Sequence, residues 1–98
     1  MTFVQIIDYE TTRGEELEPL YDEWLRATDG KRTATHELHT QDRDHPDHYI
    51  DIVEFPSYEQ AMRNSELPET QRIAAQMQAL CSREMRFLNL DVRREDTL

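Results

Sequence analysis

A chain of 98 residues with 37% hydrophobic residues can build one small domain with a thin core. Its 21 acidic and 11 basic residues give a net charge of −10, which excludes the basic surface that nucleic acid or an anionic membrane requires. No apolar run reaches the roughly 18 residues of a membrane span, and no basic and apolar leader opens the chain. We therefore expect a cytoplasmic protein. A single cysteine excludes an internal disulfide.

The first half of the chain is predicted to form a strand, a helix and a second strand. Residues 3–9 (FVQIIDY) are rich in β-formers and alternate with a period of two. Gly14 precedes a helix whose acidic first turn suits the helix dipole, and Gly30 ends it. The apolar stripe of this helix consists of Leu17, Leu20, Tyr21, Trp24 and Thr28. A weaker strand covers residues 33–40, and the DRDHPD segment after it has the composition of a turn.

The second half is predicted to form a strand, two helical pieces and a closing strand. Residues 48–55 are strongly β-forming, and Ser57 with Gln60 makes a capping box for the helix that follows. Pro68 begins the second helical piece. Its stripe consists of Ile73, Met77, Leu80 and Cys81. Residues 86–92 return as the last strand.

The element order is therefore β-α-β-β-α-β within one domain, residues 1–98, of which residues 93–98 form a polar tail. That order predicts an α+β, ferredoxin-like fold. Its four strands form an antiparallel sheet with helices on one face only.

The two faces of this sheet differ in chemistry. One parity carries compact aliphatic residues, which we expect beneath the helices: Val4, Ile6, Ile50, Ile52, Leu88, Leu90 and Val92. The opposite parity, here called the mixed face, carries Phe3, Gln5, Ile7, Tyr9, Tyr49, Asp51, Val53, Phe55, Phe87, Asn89 and Asp91. A monomer rarely exposes so many large apolar residues. We predict that the mixed face pairs with a second copy and that its polar members meet a ligand there.

The element order and the EFPSYEQAM segment after the third strand resemble the dimeric α/β-barrel superfamily, and within it the antibiotic-biosynthesis-monooxygenase group. The resemblance covers residues 2–92 and implies a homodimer that pairs sheet to sheet. Relatives include cofactor-independent monooxygenases of polycyclic phenols, haem-degrading enzymes and muconolactone isomerases. The haem-degrading pattern is not met, because the first strand has no Asn and the second helical region has no His.

The resemblance implies a monooxygenase that needs no cofactor and acts on an aromatic or polyphenolic molecule. Such a site binds an aromatic ring, removes a proton and stabilises an oxyanion. The expected catalytic residues are Asp51, His39 and Asn89, with His36 or His39 near the mouth of the site. The expected substrate-binding residues are Gln5, Tyr49, Phe55 and Phe87.

Other interpretations of these residues stay open. The polar side chains can satisfy one another across the dimer, in a homodimer that binds a small ligand without catalysis. A muconolactone-isomerase-like activity is a further alternative. We expect no metal, because His36 and His39 point to opposite faces of a strand. His45 and His48 flank a proline turn that is typical of a solvated hairpin tip.

Overall fold

The computed structural model describes residues 2–98, which form one four-stranded antiparallel sheet and three α-helices. The elements are β1 (Phe3–Glu10), α1 (Leu17–Ala27), β2 (His36–Gln41), β3 (His48–Phe55), α2 (Tyr58–Glu66), α3 (Pro68–Leu80) and β4 (Arg86–Asp91). The strands lie in the order β2-β3-β1-β4. This arrangement confirms the predicted α+β, ferredoxin-like fold. Within residues 2–98, no helix has the length and apolarity needed to cross a bilayer.

The ends of the helices follow from local sequence. Ser57 Oγ accepts a hydrogen bond from the backbone N–H of Gln60 at 3.2 Å and caps α2, as its sequence predicts. Pro68 occupies the first turn of α3, where a backbone N–H would have no acceptor within the helix and its absence costs no hydrogen bond. Gly30 follows α1 with a φ of 77°, a left-handed conformation that favours glycine.

The helices cover the mixed face, which corrects the predicted assignment of faces. Phe3 is 3% exposed and Phe55 is 2% exposed, although the sequence placed both on an uncovered surface. Tyr9 is fully buried in a cluster with Leu17 of α1 and Met77 of α3. The aliphatic residues predicted to lie beneath the helices are on the other side of the sheet.

The helices cover the face with the larger side chains because they contribute few buried side chains of their own. Only Leu17 and Trp24 are buried in α1, and only Ile73 and Met77 in α3. Large side chains from the sheet fill the remaining space, such as the Phe3 ring against Tyr58 of α2, with centroids 5.5 Å apart. Because both parities of the strands are apolar, alternation alone does not identify the covered one.

The side of the sheet that carries no helix, here called the open face, is aliphatic in its middle. Its apolar residues are Val4, Ile6, Leu38, Ile50, Ile52, Leu88 and Leu90. Leu38, Leu88 and Leu90 are among the exposed large hydrophobic residues of the chain. Such a continuous apolar surface is typical of a protein interface.

Histidine–carboxylate contacts border the open face at both ends. His36 Nδ1 lies 3.1 Å from Glu54 at one end. At the other end, His48 Nε2 lies 2.8 Å from Asp8 and His48 Nδ1 lies 3.0 Å from Asp42. Because each ring nitrogen meets a carboxylate, both act as donors only in the imidazolium form. The hydrogen bonds from Asp42 and Asp8 raise the pKa of His48 above its ordinary value.

Candidate functional site

The centre of the site is a carboxylate buried between the sheet and the helices. Asp51 of β3 is 1% exposed and lies beside Ile7 of β1 and His39 of β2. It accepts hydrogen bonds from Tyr9 Oη at 3.0 Å, from Tyr21 Oη and from His39 Nδ1 at 2.7 Å. A buried carboxylate is costly unless hydrogen bonds replace its water. Here three donors from three different elements do so.

The two tyrosines act as donors because their phenols stay protonated. Burial, reinforced by the negative charge of Asp51, raises the pKa of Tyr9 and of Tyr21 well above the ordinary value for tyrosine. Their hydroxyl oxygens are 2.7 Å apart, so the two groups belong to one network. Tyr21 comes from the apolar stripe of α1, and its contact with Asp51 connects that helix to β3.

His39 completes the network and has one nitrogen available for chemistry. Its Nδ1 donates to Asp51, and Nε2 has no hydrogen-bond partner among residues 2–98. The side chain is 25% exposed. The hydrogen bond to Asp51 raises the pKa of His39, which the charges of Glu37 and Glu18 raise further while burial opposes them. Asp51 and His39 thus form an oriented carboxylate–imidazole pair with an accessible base.

Aromatic stacking holds the His39 ring in place. The ring of Tyr49 lies parallel to that of His39, with centroids 5.5 Å apart, and stacks on Tyr9 at 5.7 Å. The hydroxyl end of Tyr49 lies against the backbone of Gly14, where an added Cβ would stand 2.0 Å from Tyr49 Oη. Gly14 therefore provides the space that the tyrosine needs.

Two adjoining spaces border this network. The inner one, here called the chamber, has a volume of about 110 Å³. It is lined by Ile7, Tyr21, Trp24, Glu37, Asp51, Val53, Asn64, Thr70, Ile73, Ala74, Met77, Met85 and Phe87. The outer one, here called the vestibule, measures about 500 Å³ and is lined by Glu18, Tyr21, Asp22, Leu25, Glu37 and His39. Tyr21 and Glu37 line both, so they mark the boundary between an apolar space and a more polar one.

The structure brings together four of the residues expected from the sequence. Asp51 and His39 belong to the hydrogen-bond network, Tyr49 stacks on the His39 ring, and Phe87 lines the chamber. The space that they border lies within one chain, between sheet and helices, and not between two sheets as the face assignment predicted. This location follows from the helices covering the mixed face.

The other expected residues lie elsewhere. Gln5 Nε2 donates to Asn89 Oδ1 at 3.1 Å, and neither residue lines the chamber or the vestibule. Phe55 packs against Phe3 in a separate core cluster. His36 points to the open face, where it meets Glu54.

Tyr21, Glu37 and Asn64 are site residues that the sequence pattern does not indicate. The spacing of Tyr21 predicts only a member of an apolar stripe, although its hydroxyl reaches Asp51. Glu37 shares its parity with His39 on β2, which was a usable signal. Asn64 is 6% exposed on α2 and lines the chamber, and only the tertiary structure brings it there.

The histidine-rich hairpin between β2 and β3 shows no metal site. His45 Nδ1 and His48 Nδ1 lie 3.4 Å and 3.0 Å from Asp42 Oδ2, so both histidines contact the same carboxylate. Within residues 2–98, no group of three or more His, Cys, Asp or Glu side chains is arranged to hold a metal ion.

The structure resembles solved structures over nearly its whole length. SnoaB, a cofactor-independent oxygenase from Streptomyces nogalater, is 13% identical with a TM-score of 0.80, over 96% of this chain and 95% of SnoaB. A structure described as an antibiotic biosynthesis monooxygenase is 18% identical with a TM-score of 0.76, over 96% of this chain and 100% of that one. Rv0793 from Mycobacterium tuberculosis is 14% identical with a TM-score of 0.80, over 99% of this chain and 100% of that one.

The chain has the antibiotic-biosynthesis-monooxygenase-like fold. The resemblance expected from the element order is thereby confirmed at the level of architecture. No protein-family model matches the sequence, and no curated protein matches it. At these identities the likeness concerns the fold, and the chemistry of the site depends on this chain's own residues.

The raised pKa of His39 predicts a pH-dependent stability. The folded-state pKa of His39 is raised above the ordinary 6.5. Its contribution to the free energy of unfolding is therefore fully present below about pH 6.5 and is lost as pH rises through the folded-state pKa. NMR titration of the His39 ring should therefore give a midpoint above 6.5, and denaturant unfolding should show stability falling through the same range. His39→Gln should flatten this slope, leaving the part due to His48. A midpoint below 6.5 would contradict the contact with Asp51.

Proposed function

We propose that the chain is a cofactor-independent monooxygenase of a small aromatic molecule that carries a hydroxyl group. The observation that supports this best is the Asp51–His39 pair at the border of an apolar chamber. A base held by a buried carboxylate, next to a space suited to an aromatic ring, meets the two requirements of such a reaction. The structural likeness to a cofactor-independent oxygenase agrees with this function.

His39 removes the proton in this mechanism. With Nδ1–H donated to Asp51, the lone pair of Nε2 accepts the proton of the substrate hydroxyl. Asp51 stabilises the imidazolium that results, as an oriented carboxylate does for catalytic histidines. Tyr9 and Tyr21 donate hydrogen bonds to Asp51 and hold its carboxylate in place, so they are positioning residues.

The deprotonated ring is the reductant. An electron-rich phenolate transfers electrons to dioxygen, a carbon–oxygen bond forms at the ring, and the oxygen–oxygen bond breaks with release of water. With hydroquinone as the substrate, hydroquinone and dioxygen give hydroxybenzoquinone and water. One oxygen atom enters the ring, the other leaves as water, and all electrons come from the substrate. His39 returns its proton to the departing oxygen.

A ligand-binding protein without catalysis is the second candidate. The same chamber and the same hydrogen-bond network can hold an aromatic molecule without reaction with oxygen. The acidic vestibule, with Glu18, Asp22 and Glu37, repels anions in either case. The two functions differ in one observable, which is product formation that depends on His39.

Turnover tests this proposal with a panel of hydroquinones and anthrones of one to three rings. Oxygen uptake and chromatography of products should show monooxygenated product with wild-type protein. His39→Gln should lower kcat by about 10²–10⁴-fold, the usual worth of a general base. Because the active form has a neutral His39, activity should rise with pH, with a midpoint above 6.5. Asp51→Asn should move that midpoint to lower pH.

The control is His45→Gln, since His45 lies at the hairpin tip with a side chain that is 76% exposed. This variant should keep wild-type activity. Binding of the panel compounds with no product from any of them would favour the non-catalytic binding protein. Equal turnover by wild type and His39→Gln would show that His39 is not the general base.

We also propose that the chain forms a homodimer through the open face. Three of its leucines, Leu38, Leu88 and Leu90, are 42–47% exposed in the single chain. Homodimer interfaces commonly bury on the order of 2,000 Å² or more in total, and a sheet face of this kind can supply such an area. The histidine–carboxylate contacts at its two ends provide a polar rim around an apolar centre.

Two lysine substitutions distinguish this interface from the helix-covered face. Leu88→Lys should give a folded monomer, because the side chain is 42% exposed and its charge opposes only association. Val53→Lys should unfold the chain, because Val53 is 8% exposed and a lysine there buries an unpaired charge. Sedimentation and circular dichroism measure both. A wild-type monomer at micromolar concentration would contradict the proposed dimer.

A further inference from the structure

We propose that the chamber binds a single aromatic ring whose hydroxyl group is hydrogen-bonded to the carboxyl of Glu37. This inference rests on the proposed function for its catalytic meaning, because it names the substrate class of the same site. Binding in the chamber can be tested separately from turnover, because the chamber and Glu37 are present whether or not a reaction follows.

The volume of the chamber limits the size of the ligand. A dry cavity of about 150 Å³ lined by aliphatic and aromatic residues accepts one benzene ring. The chamber, at about 110 Å³, is on that scale. Pockets for drug-sized ligands measure about 300–1,000 Å³, so the chamber by itself matches one ring and not three fused rings. A polycyclic substrate of the kind implied by the resemblance would extend from the chamber into the vestibule.

The walls of the chamber suit a flat apolar ring. Val53 of β3 lines the chamber on the side of the sheet, and Ile73 and Met77 of α3 line it on the side of the helices. Met77 and Met85 are its pliable members, because thioether side chains adjust to the outline of a ring. Phe87 lines the chamber and is 48% exposed, so this part of the wall lies near the surface.

Glu37 differs from the other polar residues that line the chamber. Tyr21 donates to Asp51. Asn64 Oδ1 accepts from the backbone N–H of Thr33 at 3.3 Å, and Thr70 Oγ1 accepts from Trp24 Nε1 at 2.9 Å. The carboxyl of Glu37 has no hydrogen-bond or ion-pair partner among residues 2–98, although it stands where chamber and vestibule meet. A ligand with a hydroxyl group can provide the hydrogen-bond partner that this half-buried carboxyl lacks in the protein.

The charges around Glu37 favour a neutral hydroxyl over a charged group. Burial, followed by repulsion from Asp51, raises the pKa of Glu37. A carboxyl that holds its proton more readily can donate to or accept from a phenol. The carboxylate of Asp51 repels an acidic ligand. His39, whose pKa the hydrogen bond to Asp51 raises, opposes an ammonium group when it is protonated.

Methionine-methyl NMR tests the inference without turnover. Protein labelled at its methionine methyl groups is titrated separately with 4-methylphenol, toluene, benzylamine and a hydroxylated anthrone. Saturable shifts at Met77 and Met85 are expected with 4-methylphenol, through the ring current of the ligand. Met62, which is 42% exposed on α2, should not move and serves as the internal reference. Toluene should bind about tenfold more weakly, the effect of one lost hydrogen bond.

Three variants assign the contacts. Ala74→Leu fills the chamber and should abolish the saturable shifts, whereas Ala75→Leu, on the exposed side of the same helix, should leave them unchanged. Glu37→Leu should remove the preference for 4-methylphenol over toluene while keeping the fold, because the Glu37 carboxyl makes no hydrogen bond or ion pair within residues 2–98 and the backbone pairing of β2 with β3 is unchanged. Circular dichroism checks the fold of each variant.

Several outcomes would overturn the inference. Tighter binding of the anthrone than of 4-methylphenol would contradict the single-ring limit. Equal binding of toluene and 4-methylphenol by wild-type protein, or a preference that survives in Glu37→Leu, would contradict the role of Glu37. Stronger binding of benzylamine would assign the carboxyl to a cation. Binding as expected, with no oxygenation of any phenol, would contradict the proposed reaction and leave the ligand class intact.

Discussion

The burial of the Asp51 carboxylate is the constraint on which the rest of the site depends. A charge in this position requires donors, and the fold provides them from β1, α1 and β2 through Tyr9, Tyr21 and His39. The same three hydrogen bonds tie the first helix and the edge strand to the centre of the sheet. Removing any one of them leaves a buried charge less well compensated, so the contacts that secure the fold also determine the geometry of the site.

The functional arrangement follows from this network. Because Asp51 holds Nδ1 of His39, the other ring nitrogen is directed away from the carboxylate and has no protein partner among residues 2–98. Stacking on Tyr49 fixes the plane of the ring. The apolar chamber lies on one side of Tyr21 and Glu37, and the polar vestibule lies on the other. His39 lines the vestibule and Asp51 lines the chamber, so the pair stands between the two spaces.

The sequence predicted the elements well because their signals are local. The cap at Ser57, the start of α3 at Pro68 and the alternation of β3 each act within a few residues. The covered face was predicted wrongly, since it depends on how sheet side chains fill the space below thin helices. The sequence indicates Asp51 as a polar member of the mixed face and His39 as a histidine of the second strand, and β2 and β3 pair so that the two residues lie side by side. Tyr21 and Glu37 were missed, since their contacts and surroundings depend on tertiary packing.

The tautomer of His39 tests the central claim most directly. Long-range ¹H–¹⁵N NMR of the neutral imidazole distinguishes a protonated Nδ1 from a protonated Nε2. A hydrogen bond from His39 to the Asp51 carboxylate predicts that Nδ1 carries the proton and that Nε2 shows the chemical shift of an unprotonated nitrogen. A proton on Nε2 with an unprotonated Nδ1 would contradict the account. Asp51 would then face a lone pair on Nδ1, and Nε2 would have no lone pair with which to accept a proton from a substrate.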